Sequence, residues 1–311
     1  MIDSKNGIIG LAIGDAMGVP IEFLPREALI ENPLTEMIGN QSHNMPKGCW
    51  SDDTSMNLAL IDSIINNETI DLQDIGYNFI DWAEHSKYTP TGVAFGIGRT
   101  TFKSLARLEY GDRKPEECGG KDEQDNGNGS LMRILPIAYY CYGKNYKDDE
   151  IYKTVRNVSS LTHAHEISIM GCYIYVRIAI ELIGGKSLKE AYEYIRKLDY
   201  SYFSDHCKDK YKRIIELDIS KLELDEVRSS GYVVDTLEAA LWTLLNTENY
   251  NQAIIGAINL GGDSDTVGAC TGGLAGIYYG LDSIREDWKK DLVKYEYIED
   301  LCNKFNNIIN N

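Results

Sequence analysis

The amino-acid sequence predicts an all-α fold, formed by a single compact domain over residues 1–311. Apolar residues recur at helical spacing through most of the chain, and no series of alternating strands appears. No linker, low-complexity segment or tandem repeat divides the sequence. Two glycine-rich segments, one near each end of the chain, are predicted to form the central helices.

The first glycine-rich segment spans residues 7–18 and has glycines at positions 7, 10, 14 and 18. Spacings of three and four residues place all of them on one helical face. A glycine inside a helix costs roughly 1 kcal/mol relative to alanine, so close approach of another backbone would explain them. Glycines recur every four residues over 268–280 in the same way. We therefore expect the two helices to pack together and to bring Asp15 and Glu22 near Asp263 and Asp265; two separate buried helices are the alternative.

Two carboxylates precede the second glycine-rich helix. Asp263 and Asp265 lie two positions apart, with the hydroxyl of Thr266 beside them, at the start of an apolar segment. Carboxylates there are costly to desolvate unless a cation or several hydrogen-bond donors compensate them. A metal ion is the simplest compensating group. An ordinary helix cap is the alternative, since Asp, Ser and Thr are common at helix starts.

A second acidic helix start lies at residues 51–53. Ser51, Asp52 and Asp53 precede a helical stripe of apolar residues: Met56, Leu60, Ile61, Ile64 and Ile65. One aspartate there would serve as a cap. Two in succession, between a serine and a threonine, offer several oxygen atoms of the kind that Mg²⁺ prefers. Both a metal site and a plain cap fit the pattern.

The middle of the chain is predicted to be further helix with two glycine-rich loops. Residues 71–88 form a helix with Tyr77, Ile80 and Trp82 as expected core residues. The glycines of residues 90–99 lack the Gly-Lys-Ser/Thr ending of a phosphate-binding P-loop and are expected in turns. The long polar loop of residues 111–130 runs into an apolar segment, which favours an ordered loop that holds an oxygen-rich ligand. A plain helix-entry loop is the alternative.

Another helix is predicted from residue 161 to the glycines at 184 and 185. Two residues apart on a helix, His163 and His165 would point to different faces, so we do not expect them to chelate one metal ion. We expect one near the site and the other on the surface; that neither has a chemical role is the alternative. Residues 186–230 are helical in character without recognisable chemistry. A buried helix after residue 231 and an amphipathic tail complete the fold.

The composition excludes several classes of protein. Lys and Arg total 31 and Asp and Glu total 48, a net charge of −17, so the chain lacks the cations needed to bind a nucleic-acid backbone. The seven cysteines contain no Cys-x-x-Cys pair, which argues against a disulfide framework or a zinc site. Neither a signal peptide nor a membrane span is evident. We therefore expect a protein of the reducing cytoplasm that does not bind membranes.

Taken together, five segments resemble the ADP-ribosylglycohydrolase family in their order and residues: 10–23, 50–54, 125–133, 161–163 and 259–269. The resemblance implies a single compact orthogonal helical domain with a dinuclear metal site at helix termini, holding two Mg²⁺ or Mn²⁺ ions. By resemblance, the metal ligands are Ser51, Asp52, Asp53, Asp263, Asp265 and Thr266. The catalytic acids are Glu22, which is similar to the family's mobile acidic residue, together with Asp125 and Asp263. The ADP-ribose would bind Asn126, Gly127, Asn128, Gly129, Ser130, His163 and Tyr232.

The resemblance also implies the reaction, which is metal-dependent hydrolysis of the glycosidic bond between ADP-ribose and a modified protein side chain or a small conjugate. Arginine is the favoured side chain, with an ADP-ribosylated protein as partner. The segment Phe95-Gly-Ile-Gly resembles a Phe-Asp-Ile-Gly segment of some arginine-directed members, and Gly96 replaces its acid. Two alternatives remain open: a non-catalytic ADP-ribose-binding relative, and a phosphatase with Asp263 as nucleophile, which would need a parallel strand before the motif.

Overall fold

The computed structural model describes residues 1–311 as sixteen α-helices without a β-sheet, which confirms the predicted all-α fold. Only two isolated bridges, Gly120 with His163 and Gly127 with Tyr232, join extended backbone. In chain order the helices are α1 (Lys5–Gly18), α2 (Arg26–Glu31), α3 (Asp52–Asn67), α4 (Leu72–His85), α5 (Arg99–Tyr110), α6 (Leu135–Gly143), α7 (Asp148–Ser160), α8 (Glu166–Ile183), α9 (Leu188–Ile195), α10 (Asp205–Lys210), α11 (Lys212–Ile215), α12 (Val233–Leu245), α13 (Tyr250–Ile258), α14 (Ser264–Tyr279), α15 (Glu286–Asp291) and α16 (Tyr295–Ile309).

The two glycine-striped helices, α1 and α14, pack directly against each other at the centre of the molecule. A methyl group added at Gly10 would lie 2.5 Å from the carbonyl oxygen of Gly272. One added at Gly14 would overlap the carbonyl of Gly268. The glycines therefore serve the close backbone approach that the sequence predicts, and the alternative of two separate helices is excluded. Because the helices run in opposite directions, the C-terminal end of α1 meets the start of α14.

Buried tyrosine hydroxyls bind the backbone of this central pair. The amide of Gly7, in the first turn of α1, donates to the hydroxyl of Tyr139 at 3.0 Å. Tyr250 donates to the carbonyl of Gly10 at 2.7 Å and Tyr175 to that of Cys270 at 2.9 Å. Each bond satisfies a polar group that would be costly to bury alone. The three bonds tie the central pair to α6, α13 and α8, which carry the tyrosines.

The remaining helices surround this pair. Helices α12 and α13 pack on α14, α3 packs on α4 and α16, and α8 packs on α6, α7 and α9. One main cluster of buried apolar side chains extends from Ile8 to Ile309. In α4 the buried apolar residues are Ile75, Phe79 and Trp82, spaced by four and three. Tyr77 falls on the opposite face and is 56% exposed, so its predicted place in the core was wrong.

All seven cysteines are free and buried. No helix combines the length and apolar character that crossing a lipid bilayer requires.

Candidate active site

Acidic side chains from three segments meet at one cleft of about 330 Å³. The start of α3 contributes Asp52, the start of α14 contributes Asp263 and Asp265, and the turn after α1 contributes Glu22. The packing of α1 on α14 brings these segments together, because a methyl group at Gly18 would overlap the backbone of Asp265. The predicted convergence of Glu22 with the late aspartates is therefore observed.

The start of α3 is held by a carboxylate from α1. Ser51 is the N-cap of α3, and its hydroxyl accepts the amide of Asp53 at 3.2 Å. The fully buried Asp15 accepts the amide of Ser51 at 2.9 Å and both the amide and the hydroxyl of Thr54, at 3.0 Å and 2.6 Å. A carboxylate at this position satisfies amides of the first helical turn that have no partner within the helix. Asp15 thus fixes the segment that presents Asp52 and Asp53.

Asp53 and Thr266 connect the two helix starts, since the Thr266 hydroxyl donates to Asp53 Oδ1 at 3.4 Å. The other carboxylate oxygen of Asp53, Oδ2, is buried and accepts no hydrogen bond from the protein. A buried carboxylate oxygen without a partner is costly unless a cation binds it. The neighbouring atoms that could bind a metal ion are carboxylate and hydroxyl oxygens, which suit Mg²⁺ or Mn²⁺. The residues present therefore fit a hard divalent cation.

Burial and mutual repulsion disturb the acid–base behaviour of these groups. Burial, with the charge of Asp15 next, raises the pKa values of Asp52 and Asp53 well above the usual range. Burial and the charge of Glu22 do the same to the pKa of Asp265. Burial also raises the pKa of Asp15 to about 6, although its hydrogen bonds lower it. Bound cations would lower these pKa values, because they favour the ionised carboxylates.

Glu22 is held in the cleft from two sides. The amide of Phe23 donates to the carbonyl of Gly262 at 2.7 Å, which ties this turn to the residue before Asp263. On the other side the Glu22 carboxylate binds Nε2 of His43. Atoms of Glu22, His43 and Asp265 that could bind a metal lie within 4.8 Å of one another. No pattern in the sequence indicated His43, because it lies in a polar loop without periodicity.

The glycine-rich loop divides into a cleft-facing part and anchors. Gly127, Asn128 and Gly129 line the cleft, and the Asn128 side chain donates to Asp263 Oδ2 at 2.9 Å. Asn126 instead faces α8, where its side-chain oxygen accepts the amide and the hydroxyl of Ser168 at 3.1 Å and 2.9 Å. Ser130 is fully buried and its hydroxyl binds the hydroxyl of Ser159 at 2.9 Å. The outer residues therefore fix a loop whose middle faces the acids.

His163 lines the cleft, and His165 does not. Nδ1 of His163 pairs with the Thr162 hydroxyl at 2.8 Å, and burial, aided by Arg133, lowers its pKa to about 3, so the ring is neutral. A methyl group on Gly129 would lie 2.7 Å from its Cε1. His165 is partly exposed, forms the N-cap of α8 and contacts Asn126. Both histidines precede the helix rather than belong to it.

Asp125 and Tyr232 lie beside the cleft rather than on its wall. The Asp125 carboxylate accepts the Thr100 hydroxyl and the Asp122 amide, each at 3.2 Å. It faces an adjoining polar pocket of about 100 Å³. Tyr232 is half-buried and its backbone pairs with Gly127. Both residues thus contact the frame of the glycine-rich loop.

Two further residues shape the cleft. Arg133 is fully buried beneath the glycine-rich loop, where it donates to the carbonyl oxygens of Gly129 and Val158 and stacks on Phe79. Its position as a charged residue inside an apolar segment could have indicated it from the sequence, but it was not among the predicted site residues. Gly96 has a φ of +83° and lies so close that an added methyl group would overlap the Asp52 carboxylate. The segment that resembles Phe-Asp-Ile-Gly therefore contacts a predicted metal ligand.

The phosphatase alternative finds no support in this geometry. Asp263 is the N-cap of α14 and is preceded by a glycine turn after α13. The chain forms no sheet, whereas that chemistry requires the nucleophile to follow a central parallel strand.

Comparison with known proteins extends over nearly the whole chain. A family model described as ADP-ribosylglycohydrolase matches residues 4–310. An ADP-ribosylarginine hydrolase, Tri1, of Serratia proteamaculans (strain 568) is 34% identical over 306 residues, covering 96% of this chain and 77% of the relative. An ADP-ribosyl-[dinitrogen reductase] glycohydrolase of Rhodospirillum rubrum is 30% identical over 289 residues, covering 92% and 89%. A solved structure described as an ADP-ribosylglycohydrolase-related protein complex superimposes with a TM-score of 0.82 at 28% identity, covering 99% and 98%.

Proposed function

The chain belongs to the ADP-ribosylglycohydrolase family, and we propose that it removes ADP-ribose from arginine side chains of modified proteins with the help of two Mg²⁺ or Mn²⁺ ions. The observation that carries the proposal is the meeting of four cleft-lining carboxylates beside Asp53, whose buried Oδ2 has no partner. The arginine linkage is supported by similarity to Tri1, an ADP-ribosylarginine hydrolase, and by the acidic cleft, which suits a cationic guanidinium group. A single domain over residues 1–311 is supported by the shared apolar core.

The proposed metal ligands are Ser51, Asp52, Asp53, Asp263, Asp265 and Thr266. Those at the start of α3 are supported by the capping of that helix by Asp15. Those at the start of α14 are supported by their place on the cleft wall, where Asp265 and Thr266 are also buried. When bound, two such ions would supply Lewis-acid activation of a water molecule and a hold on the ribose hydroxyl groups. The Asp15 carboxylate would keep the α3 ligands in place.

The carboxylates of the cleft have two proposed tasks. Cleavage at the ribose anomeric carbon develops positive charge, which the carboxylates of Glu22 and Asp263 would stabilise. One of them would also accept the proton of the attacking water, as a general base within hydrogen-bond reach must. Glu22 suits this task, because burial and the charge of Asp263 raise the pKa of its carboxyl group. Asp125 would act indirectly, because it does not line the cleft but accepts a hydrogen bond from Thr100, which does.

The ADP-ribose would lie along the glycine-rich loop. Gly127, Asn128 and Gly129 offer backbone and amide donors at the cleft wall, and the neutral His163 offers Nε2. Asn126, Ser130 and Tyr232 would support the loop from behind. Seven free thiols and the absence of a membrane-spanning helix are consistent with the proposed cytoplasmic location.

The test is release of ADP-ribose from arginine-linked and serine-linked proteins side by side, with and without Mg²⁺. We expect Mg²⁺-dependent release from the arginine-linked protein. Release from the serine-linked protein alone would overturn the linkage. Release from neither, with ADP-ribose still bound in calorimetry, would support a binding protein instead.

A further inference from the structure

His43, in the loop between α2 and α3, contacts the carboxylate of Glu22. Its Nε2 binds Oε2 of Glu22, and the neighbouring Ser42 hydroxyl donates to the Glu22 carbonyl oxygen at 2.7 Å. The same short turn, Gln41–His43, therefore holds Glu22 by its side chain and by its backbone. The side chain of Glu22 is 11% exposed and that of His43 is 20% exposed, so water screens the contact weakly.

The His43 ring also joins the two rims of the cleft. Its centroid lies 6.0 Å from that of Phe23, which follows Glu22, and 5.2 Å from that of Phe95. Phe95 precedes Gly96, whose backbone lies against Asp52. One imidazole therefore contacts the Glu22 turn on one side and the loop over a proposed metal ligand on the other.

The Glu22 carboxylate needs such a partner to stay among the other acids. Asp263 and Asp265 lie close to it, and like charges in a poorly solvated site repel each other. A side chain without a hydrogen bond would lower this repulsion by turning towards solvent. The ring nitrogen of His43 offsets the repulsion and fixes one rotamer of Glu22.

We propose that His43 is a positioning residue that holds the Glu22 carboxylate in the cleft and ties the Glu22 turn to the loop of Phe95 and Gly96. The proposal rests on the hydrolase function above, and it gives His43 no contact with the substrate and no part in binding the metal ions. Its effect is on the geometry of Glu22 during turnover. A misplacement of about 1 Å can reduce an enzymatic rate by about a hundredfold.

Two substitutions separate the hydrogen bond from the packing. His43→Phe keeps a ring between Phe23 and Phe95 but lacks the donor. His43→Gln loses the ring but can place an amide nitrogen near the position of Nε2. We expect His43→Phe to reduce kcat about tenfold or more without a comparable change in KM, and His43→Gln to recover most of the loss.

Hydrogen exchange provides a readout that needs no turnover. We expect amides of residues 19–24 to exchange faster in His43→Phe than in the wild type, with His43→Gln close to the wild type. Should the wild type cleave no ADP-ribosyl substrate, the proposed function fails while hydrogen exchange still tests the contact. Wild-type exchange in His43→Phe, equal impairment of the two variants, or loss of Mn²⁺ affinity in both would overturn the proposal, the last because it would make His43 a metal ligand.

Discussion

Asp15 of α1 accepts two hydrogen bonds from Thr54 of α3, one from the amide at 3.0 Å and one from the hydroxyl at 2.6 Å. The same carboxylate accepts the amide of Ser51. A residue of the glycine-striped helix thus caps the helix that presents Asp52 and Asp53. The packing of α1 on α14 and the position of α3 are thereby coupled, and both bear on the geometry of the cleft.

We expect Asp15→Asn to lower the free energy of unfolding by about 1–3 kcal/mol. The NH2 group of the new asparagine would replace one of the carboxylate oxygens that now accept hydrogen bonds from Ser51 and Thr54. The same substitution should hold Asp52 and Asp53 less firmly in place, which should weaken Mg²⁺ binding by about tenfold. Chemical denaturation and calorimetry measure the two effects. Asp71→Asn is the matched control: Asp71 caps α4, and Asn is an equally good cap, so less than about 0.5 kcal/mol should be lost. Equal losses in the two variants would contradict the role of Asp15.

Asp53→Asn should separate stability from function. Removing a buried charge with an unpartnered oxygen relieves repulsion, so the metal-free variant should be more stable than the wild type by about 1–2 kcal/mol. Mg²⁺ should then raise its melting temperature little or not at all. Thermal unfolding with and without Mg²⁺ measures both effects. Asp282→Asn makes the same charge change at an exposed position and should behave as the wild type. A destabilised variant that still gains stability from Mg²⁺ would show that Asp53 has another role.

Gly96 and Gly92 form a matched pair in one loop. Both have a positive φ, +83° and +81°, so alanine at either should cost about 1–2 kcal/mol of stability. Only at Gly96 would the new methyl group meet the Asp52 carboxylate, since nothing lies within 4 Å of a methyl group at Gly92. We expect Gly96→Ala to weaken Mg²⁺ binding by about tenfold and Gly92→Ala to leave it unchanged, as measured by calorimetry. The same Mg²⁺ affinity in both variants would argue against Asp52 as a ligand.

Without metal ions the protein should lose stability as the pH rises. Burial raises the pKa of Asp15 to about 6, and it raises the pKa values of Asp52, Asp53 and Asp265 as well. The folded state therefore binds more protons than the unfolded state. The stabilisation that comes from these protons is complete below a pH of about 4, and it is lost as the pH rises through about 6.

Because metal ions bind the ionised carboxylates, Mg²⁺ should raise the melting temperature more at about pH 7.5 than at about pH 5. Thermal unfolding at the two pH values, with and without Mg²⁺, measures this difference. An equal or larger gain at the lower pH would contradict metal binding by these groups.

Local patterns in the sequence predicted much of the fold. A glycine at every fourth position over 268–280 indicated a helix in close contact with another, and α14 packs on α1 accordingly. The run of Ser51, Asp52 and Asp53 before an apolar stripe located the start of α3 within a residue. Both inferences depend on residues near one another in the chain, where periodicity and capping chemistry are informative.

Contacts made by irregular loops were not predicted from the sequence. His43 is 21 residues from Glu22 and lies in a loop whose path no periodicity determines. The direction of the Asp125 side chain is set by the Asp122 amide and by Thr100 from α5, so proximity to the glycine-rich motif did not place it on the cleft wall. Such contacts follow from loop conformation, which spacing alone does not specify.

The central claim is that the acids at the starts of α3 and α14 bind the metal ions that hydrolysis requires. It is tested most directly by ADP-ribose release from an arginine-linked protein, comparing the wild type with Asp263→Asn at saturating Mg²⁺. Asparagine keeps the shape of the side chain and an oxygen that can accept the Asn128 bond, but it removes the charge. We predict Mg²⁺-dependent release by the wild type and loss of nearly all turnover in the variant. Release at the wild-type rate by Asp263→Asn would contradict the claim.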